Sequence, residues 1–322
     1  MKVAIINDTR SIEQHFGCSL VMNNLYKLLS SQGIQVVWSW PVNKDWREYR
    51  HEILEKEKVD LFLVNGEGTI HHSSPSRKMP LSLASFAKFA LDELNTSSVL
   101  INSTLYMNTP DVYRMLSWYK EVFVRDCRSL DELRMYDLQA KVVPDLSMAY
   151  ANKFLRNNSR REGVGVTDSY FKGVSDRLRK LSVDESYQYM PMIADRKHSG
   201  VRDLFVGSAR NKLNDDDFVE WISSKKMIIT GRYHTATICL LTRTPFVAVE
   251  SNTPKISALL QDVFGANERI IYDPSFVHPK GEIMTRFSAY SEKETALIDL
   301  YLKKAASLQQ EMISSLFDAC NT

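Results

Sequence analysis

Short, unbroken apolar runs alternate with amphipathic stretches along this chain, and the alternation predicts a β-α-β-α order. Residues 2–7, 35–40 and 59–65 are apolar runs of the kind found in parallel strands covered on both faces. Between the first two, Leu20, Val21, Leu25 and Leu28 recur at helical spacing across residues 17–31, and Gln32-Gly33 supplies the stop. Residues 45–58 read as a charged helix. Helix 80–94, strand 98–103, a helix over 110–120 opened by Pro110, strand 121–126, helix 129–136 and strand 141–145 follow.

Residues 152–162 are polar and basic and read as a linker, after which the alternation begins again. Strand 163–167, helix 173–181 and strand 187–192 lead to residues 196–213, whose pattern assigns no element, and then to helix 215–224. Strand 227–229, a helix ending near Arg243, strand 246–249, helix 255–265, strand 269–272 and a long amphipathic helix over 292–317 complete the chain. The expectation is two Rossmann-like, doubly wound α/β domains, 1–150 and 163–290, facing across a cleft. Residues 291–322 form a C-terminal helix expected to pack across both. No internal sequence repeat or low-complexity tract is visible.

A length of 322 residues fits two domains, since single cores stop growing at roughly 250 to 300 residues. With 41 Lys and Arg against 39 Asp and Glu, the net charge of +2 steers the chain toward no nucleic acid, so any anion site is local. Cys18, Cys127, Cys239 and Cys320 are scattered, with no C-x-x-C pair and no secretory leader, and read as free thiols of a cytoplasmic protein. No apolar run approaches the ~20 residues of a membrane span, which leaves peripheral membrane contact open.

Polar residues gather at two strand ends. In Thr230-Gly231-Arg232-Tyr233-His234 a turn after a parallel strand feeds a helix, whose N-terminal amides and dipole suit an anion, with Arg232 and His234 beside it. In isolation these residues also suit a capped surface and a satisfied turn histidine. In Asn65-Gly66-Glu67-Gly68-Thr69-Ile70-His71-His72, two glycines allow close backbone approach at the carboxyl end of a strand. A zinc site at His71 and His72 is set aside because no further Cys/His cluster accompanies them, so no metal is expected. Arg125-Asp126 reads as a structural ion pair or a cleft residue.

Three landmarks in order, Asn65 to His71, Phe123 to Asp145, and Ile228 to Val249 with Lys255-Ile256 after it, resemble the polysaccharide pyruvyl transferase family. The resemblance implies a GT-B-like fold and transfer of a pyruvyl group from phosphoenolpyruvate onto a sugar of a surface polysaccharide or its precursor, with no cofactor. It implies that Arg232 and His234 bind the donor, with Gly231, Tyr233 and Lys255 beside them. Gly66, Gly68, His71, Arg125 and Arg10 are then candidates for the acceptor side or the cleft. Forked arginine donors suit the carboxylate and phosphate of such a donor. His234 is the candidate acid or phosphate ligand and Glu67 the candidate base. Two departures stand out: residues 7–17 lack the family's Gly-Asp pair, and Gly165-Val166-Thr167-Asp168 replaces a Ser-Leu-Arg type strand ending, leaving one donor-side cation fewer. Two alternatives stay open, a GT-B glycosyltransferase using a nucleotide sugar and a non-catalytic glycan-binding protein of the same fold.

Overall fold

The computed structural model describes residues 1–11, 15–150, 161–193, 215–273 and 281–320. The expected linker, apart from Arg161 and Glu162, and the unassigned stretch 196–213 lie outside them. The chain divides into two compact units: Met1–Ile12 with Val21–Ala149 and Ala305–Thr322, and Glu13–Leu20 with Tyr150–Lys304.

The first unit is built on a six-stranded parallel sheet of order β2-β1-β3-β4-β5-β6. The strands are β1 (Lys2–Asp8), β2 (Gln35–Pro41), β3 (Leu61–Glu67), β4 (Ser98–Ser103), β5 (Glu121–Val124) and β6 (Lys141–Val142). The helices are α1 (Phe16–Ser31), whose first turn belongs to the second unit, then α2 (Arg50–Leu54), α3 (Met79–Leu94), α4 (Pro110–Leu116) and α5 (Cys127–Arg134). β1, β3 and β4 are apolar on both faces because both are covered. One face packs Ile6, Phe62, Val64 and Leu100 on Phe86, Ala87 and Val112 of α3 and α4. The other packs Val3, Ile5, Leu63 and Ile101 on Val21, Leu25 and Leu28 of α1, and on Met312, Ile313, Leu316 and Ala319 of the C-terminal helix.

The second unit repeats the plan with a four-stranded parallel sheet of order β10-β9-β7-β8. These strands are β7 (Val164–Ser169), β8 (Gln188–Tyr189), β9 (Met227–Gly231) and β10 (Phe246–Ala248). With them come α6 (Lys172–Asp184), α7 (Asp215–Ser223), α8 (Tyr233–Leu241), α9 (Lys255–Phe264), α10 (Glu282–Phe287) and α11 (Glu292–Cys320). Val166, Ile229 and Val247 close the core against Leu178, Leu181 and Phe287. Gly265 ends α9 at φ +70, a left-handed stop that glycine adopts freely. No described helix is long and apolar enough to cross a membrane.

Several expected elements differ. The helix expected over 45–58 is a 3-10 turn, Trp46–Tyr49, followed by the short α2. Asp45 accepts from the Arg47 amide and Trp46 is buried on Phe86 and Phe89, which holds the tight first turn, while the Glu57 carbonyl is turned to the Trp38 indole. The strand expected over 269–272 is a single bridge between Ile270 and Ala248. Tyr272, just beyond it, is 94% exposed. The strand expected to end at Asn65 runs on through Gly66 and Glu67, with Glu67 opposite Ser103. Helix α10 carried no clear periodic signal.

Candidate functional site

In the second unit the strand order reverses between β7 and β9, and ligands of open α/β sheets bind outside the carboxyl ends at such a reversal. Asp168 and Ser169 end β7 there, Gly231 ends β9, and Arg232 is the extended residue that opens α8. A Cβ on Gly231 would lie 2.4 Å from the Ser169 Cβ and 2.9 Å from its Cα, so the two strand ends close only around glycine. Arg232 lays the Nε and Nη2 edge of its guanidinium on Asp168 Oδ2, with Nε at 3.0 Å. Its Nη1 makes no hydrogen bond among the described residues, and the side chain is 16% exposed. The other oxygen of Asp168 accepts from the Met192 amide at 2.7 Å. Met192 in turn holds the first turn of α1, accepting from Gly17 N–H at its sulfur and from Phe16 N–H at its carbonyl.

That first turn lies flat on His234. A Cβ on Gly17 would sit 2.4 Å from both Cβ and Nδ1 of His234. His15 caps the turn, its Nδ1 accepting from the Cys18 amide at 3.1 Å, and its ring meets that of His234 edge to face at 6.0 Å between centroids. Burial holds the His15 imidazole far below its ordinary pKa, to about 3, and the neighbouring His234, Arg232 and Lys255 push in the same direction. His15 is therefore neutral. Tyr233 is buried with its ring edge toward His234. Lys255, on the first turn of α9, donates to Asn252 at 3.1 Å. The N-terminal amides of α9 are taken by Glu250, whose carboxylate accepts from Ile256 and Ser257 at 3.2 and 3.0 Å.

The first unit has the same reversal, between β1 and β3. It also has the same glycine device, since a Cβ on Gly66 would lie 2.4 Å from Ser103 Oγ. Next to it Glu67 sits at φ +39, a left-handed conformation that a glutamate adopts only under strain, of the order of 1 to 3 kcal/mol. Its carboxylate accepts from Asn65 Nδ2 at 3.1 Å, and the residue is 3% exposed. Asn7 at the end of β1 and Asn102 in β4 are left-handed as well, at φ +68 and +55. Gly68 falls in the turn that follows Glu67. His71 is buried between Arg77 and His72; an arginine only donates, so His71 Nε2 accepts and Nδ1 carries the proton given to His72. A hollow of ≈ 550 Å³ opens beside this loop, lined by Asp45, Arg47, Ser73, Lys78, Thr109 and Asp111.

The structure thus gathers Gly231, Arg232, Tyr233 and His234 at one reversal, with Lys255 near enough to act on His15, and Gly66, Glu67, Gly68 and His71 at the other. It takes Arg125 out of the candidate set and ties Arg10 to a carboxylate. Arg125 is interior, its side chain 1% exposed and paired with Asp145 at 2.7 Å and Thr104 at 2.5 Å, while Asp126 caps α5. Arg10 forks onto Asp8 and stacks over Tyr26 at 4.0 Å. Missing from the expectation were Asp168 as partner of Arg232, and His15, Gly17 and Cys18 as neighbours of His234. The spacing His15-x-x-Cys18 is the signal in the sequence that could have pointed to these neighbours.

Two parallel α/β units with the same reversal define a GT-B-like fold, and comparison with solved structures bears this out. A UDP-GlcNAc 2-epimerase of Methanocaldococcus jannaschii, solved with UDP-GlcNAc and UDP, is similar with 13% identity over 98% of this chain and 99% of its own, at a TM-score of 0.55. A putative UDP-N-acetylglucosamine 2-epimerase of Listeria monocytogenes matches with 10% identity over 98% and 96%, at 0.56. A functionally uncharacterized Klebsiella pneumoniae protein matches with 12% identity over 84% and 92%, at 0.52. No curated protein matches the sequence. A family model described as polysaccharide pyruvyl transferase matches residues 15–253, and the chain belongs to that family of transferases.

Proposed function

We propose that this chain transfers the pyruvyl group of phosphoenolpyruvate, as a ketal, onto a sugar of a surface polysaccharide or its precursor. The observation that carries the reading is Arg232, a buried-edge guanidinium at the β7/β9 reversal with one end held by Asp168 and the Nη1 end turned to no protein acceptor among the described residues. Such a fork fits a planar carboxylate or a phosphate oxygen pair. His234 follows on the first turn of α8, where backbone amides and the helix dipole favour an anion.

In this reading a proton reaches the methylene carbon of the donor, from His234 directly or through a group that it orients. A sugar hydroxyl bonds to C2 of the donor as its proton passes to Glu67, phosphate leaves with the electrons of the C–O bond, and a second hydroxyl bonds to C2 to close the ketal as its proton passes to the released phosphate. The buried, strained Glu67 supports its role as base, since strained backbone concentrates at functional positions. The mixed carboxylates, cations and hydroxyls of the hollow beside His72 suit an acceptor sugar. Glu250 weighs against a nucleotide sugar, because its carboxylate already occupies the α9 amides that a diphosphate would use.

The test is to incubate purified protein and an acceptor glycan with phosphoenolpyruvate and, separately, with nucleotide sugars. Phosphate release that depends on the acceptor, with a pyruvyl ketal in the product's mass and NMR spectra, is expected. Nucleotide release with a glycosylated product would replace this reading by glycosyl transfer, and binding without turnover of either donor would favour a glycan-binding role.

A further inference from the structure

We propose that His15, Cys18 and His234 form a site for a thiophilic divalent ion such as Zn²⁺. Three observations converge on it. His15-x-x-Cys18 has the ligand spacing of zinc sites and is presented by one helical turn. Gly17, between them, has no side chain, so that turn lies against His234 with Nδ1 of His234 facing it. The ligand atoms of all three residues lie within 4.8 Å of one another, inside one small cluster. Tetrahedral zinc with bonds of about 2.0 to 2.3 Å asks for ligand atoms roughly 3.5 Å apart, so side-chain rotations of the order of 1 Å complete the site.

The chemistry of binding balances simply. The Cys18 thiol loses a proton to solvent and its sulfur bonds to the ion. The single lone pair on His15 Nδ1 passes from the Cys18 amide to the ion, and His234 gives its own lone pair. One nitrogen-nitrogen-sulfur face leaves a fourth position for water, the composition of an open rather than a closed site. Because the ion takes the His234 lone pair, the ring can no longer be protonated to the imidazolium and cannot supply the proton for transfer, although its remaining N–H can still donate. This consequence, inhibition of transfer by zinc, rests on the function proposed above; the site itself does not.

The test uses the full chain, reduced and stripped of metal, titrated with Co²⁺. One equivalent is expected to bind with a thiolate-to-cobalt charge-transfer band and intense visible bands of a tetrahedral ion, both removed by Zn²⁺. Cys18→Ser is expected to abolish the charge-transfer band, whereas Cys127→Ser and Cys320→Ser leave it. His15→Asn keeps an acceptor for the cap and removes the ring ligand, so it should weaken binding about 100-fold, at or above the loss caused by removing a supporting partner of a metal ligand. If Cys18→Ser does not fold, the His15→Asn isotherm decides. Absence of the band, its survival in Cys18→Ser, or unchanged affinity in His15→Asn overturns the site. Turnover of phosphoenolpyruvate is read separately, so a cobalt signal without turnover fails the proposed function and leaves the site, and turnover without a cobalt signal does the reverse.

Discussion

Arg232 and Asp168 make the sharpest statement at the scale of single residues. The pair fixes the guanidinium plane through two donors on one carboxylate oxygen, and a lysine ammonium cannot reproduce that fork. Arg232→Lys is therefore expected to lower kcat/KM for the donor by about 2 to 4 kcal/mol of transition-state stabilisation while the protein stays folded. Unchanged kinetics in a folded variant would remove Arg232 from the site. Glu67→Gln keeps the shape and the contact with Asn65 but removes the base, so turnover should fall about 10²-fold or more with donor affinity nearly constant. A rise in acceptor KM alone would make Glu67 an orienting group. Gly-Arg-x-His and Gly-Glu-Gly were legible in the sequence because each is contiguous. Asp168 as partner of Arg232 was not, because the contact joins residues 64 apart and depends on which strands lie side by side.

At the scale of elements, apolar runs buried on both faces found nearly every strand, and helical spacing found most helices. The errors fall where a local contact overrides the pattern. The charged stretch after Asp45 has helical composition, yet the buried Trp46 and the Asp45 cap hold it as a 3-10 turn with a short helix. Arg269 heads an apolar run that pairs only at Ile270, because its guanidinium turns to the carbonyls of Phe246 and Phe287 and to Glu294. The long helix α11 shows the opposite case, an amphipathic pattern with one polar residue on its buried face. That residue, Gln309, is 1% exposed and donates to the carbonyls of Pro144 and Asp145, both at 3.0 Å, beside the buried Arg125–Asp145 pair. Gln309→Ala strands two buried acceptors and should destabilise the protein by about 1 to 3 kcal/mol in urea unfolding. A change within a few tenths of a kcal/mol would show that water replaces the amide.

At the scale of the whole molecule, the two units are repeats of one plan written in unrelated sequence, and both are discontinuous. The sequence pattern divided the chain into consecutive blocks because periodicity reports which faces are apolar, not which distant segment covers them. Residues 305–322 belong to the first unit, and Met312, Ile313, Leu316 and Ala319 of α11 sit on Val3, Ile5, Leu61 and Leu63 of its sheet. At about 1.5 to 3 kcal/mol for each large buried side chain, three of those four account for roughly 5 to 9 kcal/mol, an upper bound that is comparable with the whole stability of a domain. A fragment spanning residues 1–149 contains every strand of the first sheet but none of that helix. It is expected to lack a cooperative unfolding transition and to bind a hydrophobic dye. Joining residues 305–320 to it through a flexible Gly/Ser linker should restore a single transition, since the linker costs little once it spans the gap. A fragment 1–149 that unfolds cooperatively without the helix would show that α11 covers this sheet without being needed to fold it, and the restored transition in the joined chain would then add only to its midpoint.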